Sequence, residues 1–307
     1  MAGAAAVITV FGSLNIDLVT RVEAIPRPGE TVLGPSYAVI PGGKGANQAL
    51  AARRAGADVR LVAAVGDDGF ADAALSLLLQ EGVDCSLVRR VDAPTGAAFI
   101  AVDAAGENAI VVASGANALA SASVLHSLPA GPGHVLLLQR EVPEAEALAA
   151  ARWMHAAGGR VVLNAAPAGA VPADLLACLN TLIVNEHEAT VVGEALGLGG
   201  TVDAIAQGID TRHRVTTIVT LGAEGVLGWT GGVRRTVPAL PVRVIDTTAA
   251  GDAFCGAYAA ALASGLHFST ALARATAAGS LACTTAGAQP SLPTAAAIDA
   301  ALAGWVA

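Results

Sequence analysis

The fold is decided around one stretch of sequence, Val244-Ile245-Asp246-Thr247-Thr248-Ala249-Ala250-Gly251-Asp252-Ala253-Phe254-Cys255-Gly256-Ala257. Its β-branched beginning predicts the end of a strand over residues 243–245. Residues 253–263 predict an alanine-rich helix that Gly265 can stop. Only small residues lie between them, so the first N–H groups of the helix can face a ligand. Such a helix start attracts anions, because its N–H groups are unpaired and the helix dipole adds positive charge.

Asp252 lies in the first turn of that predicted helix. A carboxylate beside an anion-binding turn can take the proton from a hydroxyl while the turn holds the oxygens of a transferring phosphoryl group. An aspartate at this position can also do no more than complement the helix dipole. The stretch alone leaves both interpretations open.

Length, charge and cysteine content limit the class of protein. The 307 residues can bury a large core and fit one domain with an added subdomain. The net charge is −8 and there is no basic run, so we expect no nucleic-acid partner. No apolar run approaches the roughly 18 residues of a membrane helix, and residues 1–11 lack the features of a signal peptide. Four scattered cysteines are typical of reduced thiols, so we expect a cytoplasmic protein without a membrane partner.

Apolar strand-like segments alternate with amphipathic helical segments along most of the chain. The predicted strands are 7–11, 59–65, 135–139, 161–164, 182–185 and 217–221, and the predicted helices are 70–81, 144–157, 186–196 and 202–213. This alternation predicts an α/β fold with a mainly parallel central sheet that is flanked by helices. The last part is nearly all helix, over 253–264, 270–282 and 294–303.

Shorter β-prone segments predict a second, smaller sheet. Three of them, at 18–22, 31–33 and 37–40, are separated by proline and glycine. A predicted hairpin over 95–102 and 108–112 can join them. These segments do not follow the strand–helix alternation, so we place them outside the main sheet.

A glycine-rich turn, Pro41-Gly42-Gly43-Lys44-Gly45-Ala46-Asn47-Gln48, opens a predicted helix that runs to about Gly56. The turn matches neither a Walker A loop nor the Gly-x-Gly-x-x-Gly fingerprint. Its glycines allow the backbone to approach a ligand, and Lys44 and Asn47 offer donors at the helix start. A plain turn with a solvated lysine fits equally well.

Polar side chains follow the carboxyl ends of several predicted strands. They are Asn15, Asp17, Glu141, Asn164, Asn185 and Thr220. Open α/β sheets bind ligands at this edge. Each residue alone could be a helix cap or a loop residue, but so many at one edge favour a binding site.

The glycine-rich turn and the stretch from Asp246 to Phe254 resemble the two signature motifs of the ribokinase (PfkB-type) carbohydrate kinases. Further short motifs follow in the order of that family: Gly12-Ser13-x-Asn15-x-Asp17, Pro28-Gly29-Glu30-Thr31, Gly106-Glu107-Asn108, Gly115-Ala116-Asn117, Asn185-x-x-Glu188, Thr220-Leu221-Gly222 and Gly287-Ala288-Gln289-Pro290-Ser291. The resemblance covers nearly the whole chain. Within the family, the early Asn-x-Asp and the complete glycine-rich turn are most similar to the members that phosphorylate ribose.

The resemblance implies a fold, a reaction and an assembly. The chain would be one ribokinase-like domain over 1–307, with a β-sheet lid formed by about 16–42 and 95–113. The lid would also form a homodimer contact. The reaction would be D-ribose plus ATP giving D-ribose 5-phosphate and ADP, with Mg²⁺ required and K⁺ as activator.

The resemblance also implies a role for individual residues. Asp252 would be the catalytic base, and the backbone of Ala249, Ala250 and Gly251 would hold the developing phosphoryl charge. The sugar contacts would be Asn15, Asp17, Gly43, Lys44, Asn47, Glu141 and Asp252. The ATP side would use Asn185, Thr220, Gly222, Gly225 and Gly251, with Glu188 positioning Mg²⁺ through water. The K⁺ site would use Asp246, Thr248, Ala282, Thr285, Gly287 and Ser291.

Residues that differ from the family pattern, and other classes of protein, leave alternative functions to consider. The alternative is another kinase of this family that acts on a ketose or a 2-keto-3-deoxy sugar acid. Arg140 stands where relatives often carry an apolar residue, and its charge keeps the sugar acid in consideration. Ala275 and Thr276 stand where relatives often have Asn or His near adenine. A nucleoside kinase would need an aromatic residue to stack on the base, and the motifs in the first half of the chain contain none, which argues against this function. The intact Asp252 and Gly251 argue against a catalytically silent sugar-binding regulator, and the missing glycine fingerprint argues against a dehydrogenase.

Overall fold

A nine-stranded sheet forms the centre of the computed structural model, which describes residues 6–305. Numbered along the chain, the strands are β1 (Val7–Phe11), β2 (Asn15–Arg21), β3 (Tyr37–Gly42), β4 (Asp58–Gly66), β5 (Asp84–Val91), β6 (Gly96–Val102), β7 (Asn108–Ala113), β8 (Val135–Leu138), β9 (Arg160–Asn164), β10 (Thr181–Asn185), β11 (Thr216–Thr220), β12 (Val226–Thr230) and β13 (Val233–Val237). The α-helices are α1 (Lys44–Arg54), α2 (Gly69–Gln80), α3 (Glu144–Ala156), α4 (Ala173–Leu176), α5 (Glu186–Ala195), α6 (Val202–His213), α7 (Ala250–Ala263), α8 (Phe268–Ala282), α9 (Ala288–Ser291) and α10 (Ala295–Ala303). Within residues 6–305, none of the helices combines the length and the apolar character that crossing a bilayer requires.

The large sheet is parallel over most of its width. Its strand order is β13-β12-β11-β10-β9-β8-β1-β4-β5, and the pairs β11–β12 and β12–β13 are antiparallel. The remaining neighbours pair in parallel, so the carboxyl ends of those strands meet at one edge. This arrangement confirms the predicted mainly parallel sheet flanked by helices.

Each face of the large sheet is covered by its own hydrophobic core. In β8, Val135 and Leu137 belong to the core on the side of α1, α7 and α8, whereas Leu136 and Leu138 belong to the core on the side of α3, α5 and α6. All four side chains are fully buried. Alternation within a continuous apolar strand is what burial on both faces requires.

Close packing of α1 against α7 brings the starts of the two helices together. A Cβ atom on Gly256 of α7 would lie 2.5 Å from the Cβ of Ala51 and 2.6 Å from the backbone nitrogen of Ala52. The two helices can therefore approach this closely only because residue 256 has no side chain. The contact places the first turn of α7 beside the first turn of α1.

A separate four-stranded sheet lies beside the main body, in the order β3-β2-β6-β7. The pairs β2–β3 and β6–β7 are antiparallel, and β2 pairs with β6 in parallel. The sheet exposes many large apolar side chains, namely Tyr37, Val39, Phe99, Ile110, Val111 and Val112. The predicted second sheet is therefore present, with one difference in its strands.

Two predicted strand segments are wrong, because their backbone groups have no neighbouring strand. Residues 31–33 are an exposed loop in which Leu33 is 91% accessible. Residues 243–245 are also a loop, where the backbone nitrogen of Ile245 donates to the carbonyl of Cys283 at 2.8 Å. A β-branched segment becomes a strand only where another strand pairs with it.

Neither β5 nor the β12–β13 hairpin was predicted from the sequence. A signal for the hairpin exists in the sequence, because Gly231 and Gly232 both adopt positive φ at its turn. Two adjacent glycines between apolar segments favour this type of hairpin turn. β5 gives a weaker signal, since most of its residues are charged, polar or partly exposed.

Candidate active site

The start of α7 is open and carries no side-chain cap. Ala249 occupies the cap position in the left-handed region, with φ 60° and ψ 10°. A non-glycine residue in this region carries backbone strain of the kind found at functional sites. Gly251 is exposed, and nothing lies within 4 Å of the position a Cβ would take. The turn at 249–251 is therefore an uncapped helix start with room for a ligand.

Asp252, in the first turn of α7, is buried against the start of α1. Its Oδ1 accepts a hydrogen bond from Gln48 Nε2 at 2.9 Å, and its Oδ2 accepts one from Asn47 Nδ2 at 3.0 Å. Burial raises the pKa of Asp252 above the usual value, although the charge of Lys44 and the two amide donors oppose this rise. A carboxylate that is held by donors and has a raised pKa is a stronger base than an ordinary aspartate, which suits a general base.

Lys44 lies within electrostatic reach of four acidic side chains, Asp17, Glu141, Glu188 and Asp252. Burial, followed by the charges of Glu141 and Asp252, raises the pKa of Asp17 to about 6. Burial alone would lower the pKa of Lys44, but the charges of Asp252, Glu141 and Glu188 raise it. Asp17 and Asp252, which lie more than two hundred positions apart in the sequence, therefore act on each other's charge in the folded protein.

Glu141 is held at the start of α1. Its Oε2 accepts a hydrogen bond from Ser13 Oγ at 2.5 Å and one from the backbone nitrogen of Lys44 at 3.1 Å. Ser13 Oγ in turn accepts from the backbone nitrogen of Gly45 at 3.2 Å. The carboxylate thus pairs with the positive end of the α1 dipole.

Asn15 and Asp17 lie two residues apart in β2 and point to the same side, as their spacing predicts. Asn15 Oδ1 accepts from Asn117 Nδ2 at 2.6 Å. Glycine is required next to them, since a Cβ on Gly42 would lie 2.5 Å from Asp17 Oδ2 and one on Gly43 would lie 2.8 Å from the Asn15 nitrogen. Gly43 also has φ +89°. The glycine-rich turn therefore lies directly against these two side chains.

A cavity of about 150 Å³ joins the two predicted halves of the site. Its walls include predicted residues of both halves, namely Lys44, Asn185, Glu188, Thr220, Ala249, Gly251 and Asp252. Gly222 and Gly225 follow β11 but do not line this cavity. Gly225 has φ +97°, and a Cβ there would lie 2.1 Å from the Val237 carbonyl oxygen, so its packing against β13 explains the glycine.

Asn185 and Glu188 form a capping box at the start of α5. Asn185 Oδ1 accepts from the backbone nitrogen of Glu188 at 2.8 Å, and Glu188 Oε2 accepts from the backbone nitrogen of Asn185 at 2.8 Å. Burial raises the pKa of Glu188, opposed by its bond to Asn185 and by the charge of Lys44. The box fixes a buried carboxylate on the cavity wall.

The residues of the predicted cation site come from three segments that meet behind the start of α7. Asp246 Oδ1 accepts from the backbone nitrogen and the hydroxyl of Thr248, at 2.9 and 2.6 Å, and its Oδ2 accepts from the backbone nitrogen of Gly287 at 2.8 Å. Burial would raise the pKa of Asp246, but these hydrogen bonds hold it below its usual value. Ala282 ends α8, and the backbone nitrogen of Thr285 donates to its carbonyl at 3.4 Å. Ser291 ends α9, and its hydroxyl donates to the carbonyl of Ala288 at 2.7 Å.

Two of the residues that depart from the family pattern, Arg140 and Thr276, donate to backbone carbonyls. Arg140 Nη1 donates to the carbonyl of Pro167 at 3.1 Å, in the loop that follows β9. Ala275 is fully buried in α8. The Thr276 hydroxyl donates to the carbonyl of Leu272 at 2.8 Å within the same helix. Thr276 therefore uses its polar group to bond its own helix.

Four polar residues of the site had no role assigned from the sequence. Ser13, Gln48 and Asn117 lie inside the short family-like motifs, and Gln139 precedes Arg140 at the end of β8. Their bonds to Glu141, Asp252, Asn15 and each other span about a hundred residues or more. Gln139 could have been identified as a site residue from the sequence, because it lies at the carboxyl end of a predicted strand.

The whole chain is similar to known sugar kinases. Residues 5–295 match the model of the pfkB family carbohydrate kinases. Ribokinase of Haemophilus influenzae is 38% identical over 291 residues, which cover 94% of this chain and 95% of that protein. The ribokinase structure of Thermotoga maritima superposes with a TM-score of 0.88 at 35% identity, covering 97% of this chain and 99% of that one. The Arabidopsis thaliana ribokinase in complex with ribose and ATP superposes with a TM-score of 0.86 at 29% identity, with the same coverage.

Proposed function

The chain belongs to the pfkB family of carbohydrate kinases, and we propose that it is a ribokinase. The proposed reaction transfers the γ-phosphoryl group of ATP to the primary hydroxyl of D-ribose, giving ribose 5-phosphate and ADP. The observation that carries the proposal is the buried Asp252 carboxylate, which accepts hydrogen bonds from Asn47 and Gln48. Asp252 lines the same cavity as Ala249 and Gly251 at the start of α7.

In this proposal Asp252 takes the proton from the sugar hydroxyl as the phosphoryl group is transferred. The N–H groups at Ala249, Ala250 and Gly251 face the charge that develops on the phosphoryl oxygens. No side chain caps this helix start, which supports the role, although the Ala250 N–H also donates to the Thr247 carbonyl at 3.2 Å. Positioning and charge neutralisation supply most of the catalysis in phosphoryl transfer.

We assign the sugar to Asn15, Asp17, Gly43, Lys44, Asn47, Glu141 and Asp252. One observation supports a polyol ligand directly. Asn47 Oδ1 is buried and accepts no hydrogen bond from any part of the chain that the structure describes, while its Nδ2 is bound to Asp252. A buried acceptor without a donor is costly, and a sugar hydroxyl can satisfy it.

We assign the nucleotide to Asn185, Glu188, Thr220, Gly222, Gly225 and Gly251. The buried carboxylate of Glu188 is an oxygen donor that suits Mg²⁺ held through water. When bound, Mg²⁺ neutralises part of the phosphate charge. Since Gly222 and Gly225 lie outside the cavity, their role in this proposal is to shape the backbone after β11.

We assign a monovalent cation to Asp246, Thr248, Ala282, Thr285, Gly287 and Ser291. Backbone carbonyls, hydroxyls and one carboxylate are the oxygen donors that potassium accepts. Asp246 keeps a low pKa, so it supplies a negative charge at neutral pH. When bound, K⁺ adds positive charge beside the loop that leads into α7.

We further propose one domain whose small sheet, over about 16–42 and 95–113, is a lid on the sugar side and the contact of a cytoplasmic homodimer. The position of Asp17 in β2 supports the lid, because the strand carries a proposed sugar ligand. The exposed apolar side chains of the small sheet support the homodimer, since an apolar patch of this kind marks an interaction surface.

A panel of acceptors tests the proposed function. Purified protein is assayed for ATP-dependent phosphorylation of D-ribose, deoxyribose, fructose, 2-keto-3-deoxygluconate and adenosine, with potassium, with sodium, and with no added salt. We expect D-ribose to give the highest kcat/KM and potassium to stimulate the reaction. Preference for the sugar acid would replace ribose as the substrate, and an equal rate in the three salts would remove the cation site from the account.

A further inference from the structure

A chain of buried amides runs from the end of β8 to Asp252. Gln139 Nε2 donates to Gln48 Oε1 at 2.7 Å, and Gln48 Nε2 donates to Asp252 Oδ1 at 2.9 Å. The same Gln48 nitrogen donates to Asn164 Oδ1 at 3.0 Å. Gln48 is 0% and Gln139 is 1% accessible, so bulk water does not compete for these bonds.

The donors and acceptors of the amide chain fit one direction, in which Gln139 Oε1 alone of the chain's amide oxygens has no partner within residues 6–305. An ionised Asp252 accepts hydrogen bonds but cannot donate, so Gln48 must turn its NH₂ group toward it. The Gln48 oxygen then faces away and needs a donor, which the NH₂ group of Gln139 supplies. With Gln48 reversed, its oxygen would face the oxygens of Asp252 and Asn164. Each amide therefore fixes the orientation of the next.

Close packing surrounds the two glutamines. A Cβ on Gly12 would lie 2.0 Å from Gln139 Oε1, so the Gln139 side chain lies against the backbone of residue 12. A Cβ on Gly256 would lie 2.7 Å from the backbone carbonyl oxygen of Gln48, so α7 packs closely against α1 beside Gln48. The amide chain is part of the contact between β1, β8, α1 and α7.

We propose that Gln48 and Gln139 are positioning residues that hold the Asp252 carboxylate in one orientation and in its ionised form. Gln48 acts by direct donation, and Gln139 acts through Gln48. The inference rests on the proposed kinase function, in which Asp252 is the base. Neither glutamine is among the residues that we assign to the sugar or to the nucleotide, so their proposed role is distinct from substrate contact.

Charged groups on the neighbouring elements also act on Asp252. Lys44 of α1 favours its ionised form, whereas Glu141, after β8, favours its protonated form. Asp17 of β2 and Cys255 of α7 also lie within electrostatic reach of it. Replacing either glutamine with methionine keeps the side-chain length and leaves all four of these groups in place. A change in the pH dependence of such a variant therefore reports the lost amide.

The test compares three variants of the full chain with wild type, measuring kcat and KM for ribose from about pH 5 to about pH 9. They are Gln48→Met, Gln139→Met and the control Gln289→Met. Gln289 is fully buried and hydrogen-bonds through neither side-chain atom within residues 6–305. For Gln48→Met we expect kcat to fall about tenfold and the acid limb of kcat/KM to move up by about one pH unit. For Gln139→Met we expect a smaller shift in the same direction, and for the control no shift.

The outcomes separate this inference from the function on which it rests. Wild-type protein that fails to phosphorylate ribose refutes the proposed function. An active wild type with an unshifted acid limb in Gln48→Met refutes the inference alone, as does an equal shift in Gln289→Met. If Gln48→Met does not fold, Gln139→Met decides by the same readout, and an unshifted limb there overturns the inference.

Discussion

At the scale of single residues, the site holds negative charges together at the expense of stability. The pKa of Asp17 is raised to about 6 from 3.8, first by burial and then by Glu141 and Asp252. The folded protein therefore binds more protons at this residue than the unfolded chain between about pH 4 and about pH 6. Stability contributed by the protonated form is present at low pH and falls as the pH rises through this window. The direction is opposite to that of a salt-bridged aspartate.

We expect Asp17→Asn to stabilise the fold at neutral pH and to remove sugar binding. The free energy of unfolding should rise by up to about 3 kcal/mol at pH 7, because the buried charge is gone. At about pH 4 the variant and the wild type should be equally stable, since Asp17 is then protonated in the folded protein. Denaturant unfolding at both pH values measures this difference.

Calorimetry on Asp17→Asn checks its functional side. Binding of ribose should be lost, while binding of ATP should be retained, because Asp17 does not line the cavity that holds Asn185 and Glu188. Unchanged ribose affinity would show that the sugar site is misplaced. If Asp17→Asn lowers the free energy of unfolding by the same amount at both pH values, the ionised Asp17 carboxylate does not destabilise the fold.

At the scale of elements, the site depends on how closely α1 and α7 approach. Asn47 and Gln48 of α1 hold Asp252 of α7, and Gly256 sets the separation of the two helices one turn later. A methyl group at 256 must push the helices apart, since it would meet Ala51 and the backbone of Ala52. The packing of the two helices at Gly256, one turn after Asp252, therefore positions the proposed base.

We expect Gly256→Ala to lower both stability and turnover. Overpacking of a close contact costs about 1–3 kcal/mol, and the displaced helix should weaken the bonds between Asp252 and the two amides. Gly69→Ala is the matched control, because nothing lies within 4 Å of its Cβ position. Thermal unfolding and kcat measured on both variants give the comparison. If Gly256→Ala behaves like Gly69→Ala, the close contact does not position the site.

The elements of the fold differ in how far the sequence could predict them. The strong alternation of apolar strands and amphipathic helices predicted α2, α3, α5, α6 and the parallel strands other than β5, with ends close to those observed. The wrong strand at 243–245 shows the limit of this method. Val244 and Ile245 favour a strand locally, but the structure places them in an exposed loop without a pairing strand. Pairing is decided by the tertiary structure.

The site itself was predictable as a set of polar residues but not as a network. Strand ends place Asn15, Asp17 and Glu141 at one edge whatever their detailed contacts. The bond from Ser13 to Glu141 and the amide chain through Gln48 join residues that no local pattern relates. Such contacts depend on side-chain rotamers and helix separations, which a single sequence does not specify.

At the scale of the whole molecule, the exposed apolar face of the small sheet predicts a dimer. Val111 of β7 lies opposite Phe99 of β6 on one face of this sheet, and both side chains are exposed, so a charge at Val111 should prevent the close approach of a second copy. We expect wild type to have the mass of a dimer in light scattering, and Val111→Asp the mass of a monomer. Leu79→Asp is the control, because the Leu79 side chain is exposed on α2, outside the small sheet, and this variant should stay dimeric. A monomeric wild type would contradict the proposed homodimer.

The most direct test of the account is the rate of phosphoryl transfer from ATP to D-ribose by wild type and Asp252→Asn in parallel. The variant keeps the size of the side chain but cannot accept the hydroxyl proton. We predict that kcat falls by about 10²–10⁴-fold, while ribose and ATP still bind and the protein stays folded. Near-normal turnover in a folded Asp252→Asn variant would contradict the claim that Asp252 is the base of a ribokinase.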